Sequence, residues 1–253
     1  MRSDLDLGGE YEAALGRIKA KGGEETRLGM AVLMWISHSR RPLQVDEICH
    51  AIAIRIGSND LDNDDILAIS MLLDYCQGLV TIDKSTSTVR LIHYTLQEYL
   101  CAHPRLFDGA HSTMAEVCLT YLKFQHVKDF LAGRSPNQRS TPFLEYSALY
   151  WGTHMKVEHS DGAQALALEL LSPSDSHIYA KSLGNLISWE FTTGRTLDPG
   201  AFSVLYCISY FGIAGIISSL IEMKKWDVKQ RDSAGMTPLI WAASSDGHDH
   251  ARS

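Results

Sequence analysis

The spacing of apolar residues changes period once in this chain, at Leu79, and that change constrains the fold more than any other feature. Upstream the period is helical. Tyr11, Leu15 and Ile18 recur at i, i+4 and i+7, giving one apolar face to a helix that ends at Gly22-Gly23. Residues 26–37 (TRLGMAVLMWIS) are apolar nearly all round, which predicts a central, buried helix broken at Arg40-Arg41-Pro42. Ile48 and Ile52 set the face of a third helix over 45–55, with Asp46 and Glu47 in its positive first turn. A polar loop over 57–63 leads to a helix over 64–77 with Ile66, Ile69 and Leu73 as its stripe, stopped at Gly78. Then two short β-rich runs, 79–83 and 88–92, flank Lys84-Ser85-Thr86-Ser87, a hairpin signature. Helical spacing resumes at Tyr94, with Leu96, Tyr99 and Leu100 on the apolar side.

Helices closed by a hairpin and a further helix give the order of a winged helix, the hairpin being its wing. From Gly109 onward the pattern is helical. Met114, Val117, Cys118, Tyr121 and Leu122 form one face, and Leu144, Ala148 and Trp151 another. Further helices are expected over 163–171 and 178–191, separated at Pro173. The fold class is therefore mainly α: a winged-helix domain over 8–104, a helical linker over 105–198, and a third region over 199–253.

That third region carries a repeat signature. Asp232-Ser-Ala-Gly235-Met-Thr237-Pro238-Leu239-Ile-Trp-Ala242-Ala243 has the ankyrin pattern. Gly235 permits the turn, the Thr237 hydroxyl caps the helix and Pro238 suits its first position. Leu239 follows Leu205 by 34 residues, close to the ankyrin period, so 203–209 and 213–222 read as two helices of a degenerate earlier repeat turning at Gly212. The same register decides the one stretch that suggests a membrane span. Residues 201–221 lack charge over a bilayer-spanning length, yet a buried helix pair lacks charge too. Two short helices are expected. One and a half ankyrin repeats do not bury their own faces, so the expectation is one to two repeats of a truncated array.

Composition excludes several classes. Thirty acidic against 23 basic side chains leave a net charge of −7, which disfavours general binding to nucleic acid or an anionic membrane. Five scattered cysteines without a C-x-x-C pair, and no apolar leader after Met1, point to free thiols in the cytoplasm. There is no G-x-x-x-x-G-K-[ST] loop and no G-x-S-x-G elbow, so neither an NTPase core nor a hydrolase site is expected.

Three motifs carry a family resemblance: Arg40-Arg-Pro42-Leu43-x-x-x-Glu47-Ile48, Cys76-x-Gly78-Leu79-Val80, and Val89-Arg-Leu-Ile-His93-Tyr-Thr-Leu-Gln-Glu98-Tyr-Leu. They resemble the winged-helix domain that follows the NACHT NTPase in fungal NLR-type (STAND) receptors. That domain is often labelled GPI inositol-deacylase winged helix, although it carries no deacylase site. Ala110-His111, Cys118-Leu-Thr-Tyr-Leu122 and Tyr146-x-x-x-Tyr150-Trp151-Gly-x-His154 resemble the helical linker after it. The resemblance implies a non-enzymatic regulatory and interaction segment, with no cofactor of its own. Its winged helix would control an NTPase module that this sequence lacks, and its ankyrin repeats would bind a protein. It also implies that His93, opening the helix after the wing, faces the phosphate of ADP held by that module in trans.

The remaining candidates read as structural. Cys101-x-His103 lacks a third group, and His248-x-His250 sits in a polar terminus. Asp60, Asp62, Asp64 and Asp65 mimic the start of a calcium loop without its glycine or closing glutamate, so no metal site is expected. Trp35, Trp151, Trp189 and Trp241 fall at helical core positions. The alternative function is a winged-helix DNA-binding protein. It is disfavoured because the pre-wing segment 64–77 holds Asp64, Asp65 and Asp74 but no Lys or Arg.

Overall fold

In a computed structural model the protein is described over residues 4–134, 141–171, 204–222, 229, 231 and 235–240. The chain divides into two compact units. The first combines Met1–Ile54 with Leu61–Ala110; the second takes Arg55–Asp60 and the chain from His111 on.

In the first unit α1 (Asp4–Lys21) buries Tyr11, Ala14, Leu15 and Ile18, the face that the period-3.6 spacing marks. Gly22 and Gly23, both at positive φ, reverse the chain without a linker, and α2 (Gly23–His38) starts at once. Val32 and Leu33 are fully enclosed, and α2 touches α1, the unit's three later helices and the sheet. It is the central helix that its apolar composition predicts. α3 (Val45–Ala53) buries Ile48, Cys49 and Ile52.

The pre-wing helix is shorter than its periodicity suggests. A 3₁₀ turn over Asn63–Asp65 comes first, Ile66 is extended, and α4 covers only Ile69–Tyr75. The Asp62 carboxylate accepts the Asp64 amide at 3.0 Å and closes a local turn that competes with helix. Restarting the helix at Ile69 shifts its buried side. Leu72 and Cys76 are enclosed, whereas Ile66, Ile69 and Leu73 are only half-buried. α4 lies close to α2 because Gly29 has no side chain: a Cβ there would stand 2.7 Å from the Tyr75 carbonyl oxygen. Gly29→Ala is expected to lower stability by about 1–3 kcal/mol, read from denaturant midpoints, although alanine is the better helix former.

β2 (Val80–Asp83) and β3 (Thr88–Leu91) form the antiparallel wing, paired from Val80↔Leu91 to Asp83↔Thr88. Ser85 turns the tip: its hydroxyl and amide hydrogen-bond to the Asp83 carboxylate, hold that acid below its usual range, and are aided by Arg90. A third strand, β1 (Leu43–Gln44), was not visible in the apolar pattern. It pairs with β3 through Leu43↔Val89, so the sheet order is β1-β3-β2. α5 (Tyr94–Ala102) follows, with Leu96 and Leu100 buried and Tyr99 half-buried, and a 3₁₀ turn, Pro104–Phe107, ends the unit's apolar side.

The second unit holds α6 (Ala110–Lys123), α7 (Gln125–Leu131), α8 (Leu144–Val157) and α9 (Asp161–Leu170). Met114, Val117, Cys118, Tyr121 and Leu122 are all buried, as are Leu144, Ala148 and Trp151. Residues 204–222 form two short helices, α10 (Val204–Phe211) and α11 (Ala214–Glu222), broken at Gly212 with φ +67°. Eight or nine helical residues reach roughly 12–14 Å, less than half a bilayer core. Among the described residues no helix is long and apolar enough to cross a membrane. The expected helix over 178–191, Trp189, Trp241 and His248-x-His250 lie outside the described residues.

Candidate functional site

His93 sits between the wing and α5, exposed, with extended backbone (φ −150°, ψ 146°). It is the N-cap of α5. Its Nδ1 accepts the Thr95 amide N–H at 3.3 Å and lies 2.7 Å from the Thr95 hydroxyl. That hydroxyl is in turn 2.7 Å from the Tyr11 hydroxyl of α1. The ring stands 4.7 Å from the ring of Tyr94, which is 70% exposed beside Ile92, itself 49% exposed. The junction therefore presents an imidazole between two exposed apolar side chains, at the positive end of a helix. Tyr11 belongs to the helical face that the sequence marks as apolar, and only the tertiary fold reveals the use of its hydroxyl.

The motifs around the junction have a physical content. Arg41 grips Glu47 with two parallel hydrogen bonds of 2.8 and 2.7 Å, and the same carboxylate accepts the Gln44 amide at 2.8 Å. One glutamate thus caps α3 and pins the segment that supplies β1, whose Leu43 is buried on Val89. In Cys76-x-Gly78-Leu79-Val80, Gly78 takes φ +79°, and Cys76, Leu79 and Val80 are buried. That turn delivers the chain into the wing.

The linker motif also converges. The His111 and His154 Nδ1 atoms are 2.8 Å apart, and the Tyr146 hydroxyl lies 2.9 Å from His154 Nε2. Glu158 accepts the amides of His111 and Ser112 at 3.0 and 3.1 Å, at the start of α6. His154 is fully enclosed, so this run ties α6 to α8 as a buried polar network.

Among the described residues no group of three or more His, Cys, Asp or Glu side chains is placed to hold a metal ion. Asp60, Asp62 and Asp64 are exposed. Cys101 and His103 are exposed, and Gln97 donates to the Cys101 sulfur at 3.5 Å. A groove of about 730 Å³ runs between α1 and α5, lined in part by Glu12, Gly16, Lys19, Tyr99 and His103. His93 is not part of it.

The thiols give a pH prediction. Burial pushes Cys49 up to about 11, with Asp46 adding to it, and Cys76 up to about 12; Cys118 is raised further, again by burial. In the unfolded chain these thiols ionise near their ordinary value of 9.0, whereas the folded chain keeps them protonated. Their contribution is complete below pH 9 and is lost as pH rises from 9 through 12. Urea midpoints should fall across that window and be flat just below it.

Residues 17–115 match the family model described as GPI inositol-deacylase, winged helix domain. The matched stretch holds α2, the β1-β3-β2 sheet, the wing and α5. It is a winged-helix domain. This type is found in NACHT-type proteins. No curated protein and no solved structure matches the chain. α4 has Asp74 as its single charge, and no Lys or Arg occurs between Arg55 and Lys84.

At the far end, Gly235 takes φ +77°, and the Thr237 hydroxyl accepts the Ile240 amide at 3.4 Å with Pro238 one residue inside the helix. The local start that Thr-Pro-Leu predicts is present. The two leucines that set the 34-residue register differ: Leu205 is 3% exposed and Leu239 is 78% exposed.

Proposed function

We propose that the chain is a non-enzymatic regulatory and protein-interaction segment of a STAND/NLR-like signalling receptor. In this reading the winged-helix domain clamps a NACHT-type NTPase module in trans, and His93 donates a hydrogen bond to a phosphate oxygen of its bound ADP. The region over 199–253 begins an ankyrin array that binds a protein partner. Nucleic acid and membrane are not partners, and the setting is the cytoplasm. One observation carries the reading: an exposed histidine at a helix start, its Nδ1 occupied by the cap, beside the wing of a domain type found in NACHT-type proteins. The phosphate itself would be cradled by the module, since this chain has no phosphate loop.

The test joins the chain to its NTPase module and follows ADP release. His93→Ala should lose the worth of one hydrogen bond to a charged group, about 1.5–3 kcal/mol, or roughly 10- to 150-fold faster release. His93→Asn keeps an N-cap acceptor while losing the imidazole, so it separates loss of the donor from loss of the cap. Fast release in both variants supports the reading. Wild-type rates in both, with the proteins folded, would reduce His93 to a structural cap.

A further inference from the structure

The hydrogen bonds behind His93 run in one direction only. The Thr95 amide can only donate, and it points at Nδ1, so Nδ1 must carry a lone pair. With Nδ1 as acceptor, the Thr95 hydroxyl 2.7 Å away must donate to it. That hydroxyl has then spent its proton, so at 2.7 Å from the Tyr11 hydroxyl it must accept. The order is fixed: Tyr11 O–H to Thr95 O–H to His93 Nδ1. A neutral imidazole has one N–H, and here it is forced onto Nε2, across the ring from the cap. Tyr11 is 7% exposed, with its ring against Tyr99 at 5.6 Å, so its hydroxyl is held in place by packing and has Thr95 as its partner.

We propose that Tyr11 and Thr95 are positioning residues that keep His93 Nδ1 an acceptor and leave its Nε2–H as the outward donor, so that the junction selects a ligand presenting an acceptor oxygen. The ligand class rests on the reading of His93 given above; the tautomer does not. The relay also assigns a role to α1, because Tyr11 precedes the segment that the family model matches.

The experiment uses the whole chain with ¹⁵N-labelled histidine. Long-range proton–nitrogen spectra distinguish a protonated from an unprotonated ring nitrogen, and His93 is assigned by its loss in His93→Asn. Wild type should show unprotonated Nδ1 and protonated Nε2, with a bias beyond that of free histidine. Tyr11→Phe keeps the ring contact with Tyr99 but removes the donor, and Thr95→Val removes the relay hydroxyl. Both should weaken the bias without abolishing it, because the Thr95 amide still donates to Nδ1, while Thr95→Ser restores it. A merely structural role would leave the tautomer unmoved. A wild-type His93 protonated on Nδ1, or averaged as free histidine is, overturns the proposal. So do unchanged resonances in folded Tyr11→Phe and Thr95→Val. Unaltered ADP release in the joined protein would instead count against the receptor reading and leave the relay standing.

Discussion

Glu47→Ala is expected to lower the stability of the winged-helix domain by about 2–4 kcal/mol, the upper part of the range for a point substitution. Glu47 is 7% exposed at its side chain and Arg41 is 25% exposed. Removing the carboxylate takes two hydrogen bonds from a half-buried guanidinium, frees the Gln44 amide and removes an acidic group from the first turn of α3. Arg41 keeps partial contact with water, which places the loss below that of a fully enclosed pair. Glu47→Gln keeps an acceptor for the Gln44 amide and should lose roughly half as much, about 1–2 kcal/mol. Thermal melts of the three proteins decide it. Equal melting of Glu47→Ala and wild type would remove the clamp from the account of this fold. The wing should respond as well, because β1 is the strand that Arg41 and Glu47 bracket, and the amide of Val45, the residue after it, donates to the Ser87 carbonyl at 3.0 Å.

In the second unit the largest effect is expected at Gly152, inside α8. A Cβ there would lie 2.5 and 2.6 Å from two ring carbons of Phe211 on α10, at the base of a buried side chain. The Phe211 ring also stands 5.0 Å from that of Trp151, which is fully buried, so it has little room to turn away. Glycine to alanine inside a helix stabilises by about 1 kcal/mol on propensity alone. Overpacking outweighs that here. Gly152→Ala should lose about 3 kcal/mol, and adding Phe211→Leu should recover part of it, giving a coupled double-mutant cycle. Additive losses would mean that the two residues are not in contact.

What the sequence made legible follows the strength of each local signal. Helical periodicity is repeated over many residues, so α1, α2 and the face of α6 could be read directly. The wing was legible because two β-rich runs flank four turn formers, and His93 because it stands where that period ends. β1 was not: two residues carry no alternation, and the strand is recognised only by its pairing with β3, beside the Arg41–Glu47 contact. The pre-wing helix was overextended because Ile66 fits the stripe, while the Asp62 turn that interrupts it is a hydrogen bond between neighbours. The relay behind His93 was illegible for another reason. Tyr11 and Thr95 are 84 positions apart, and a tyrosine on an apolar face gives no sign of where its hydroxyl goes.

The six residues Arg55–Asp60 leave the first unit and belong to the second. Their partners come late in the chain: the Gly57 amide donates to the Thr120 hydroxyl, 63 residues on, and Asp60 meets His126, 66 residues on. During synthesis at about 5–20 residues per second, this segment waits about 3–13 s for the helices that hold it. α3 is complete before that interval begins, and the wing and α5 emerge within it. The later elements of the first unit are therefore synthesised before the partners of Arg55–Asp60 exist, and an inserted protease site at Gly57 would be cut on nascent chains halted before Thr120 and spared on chains that extend past His126.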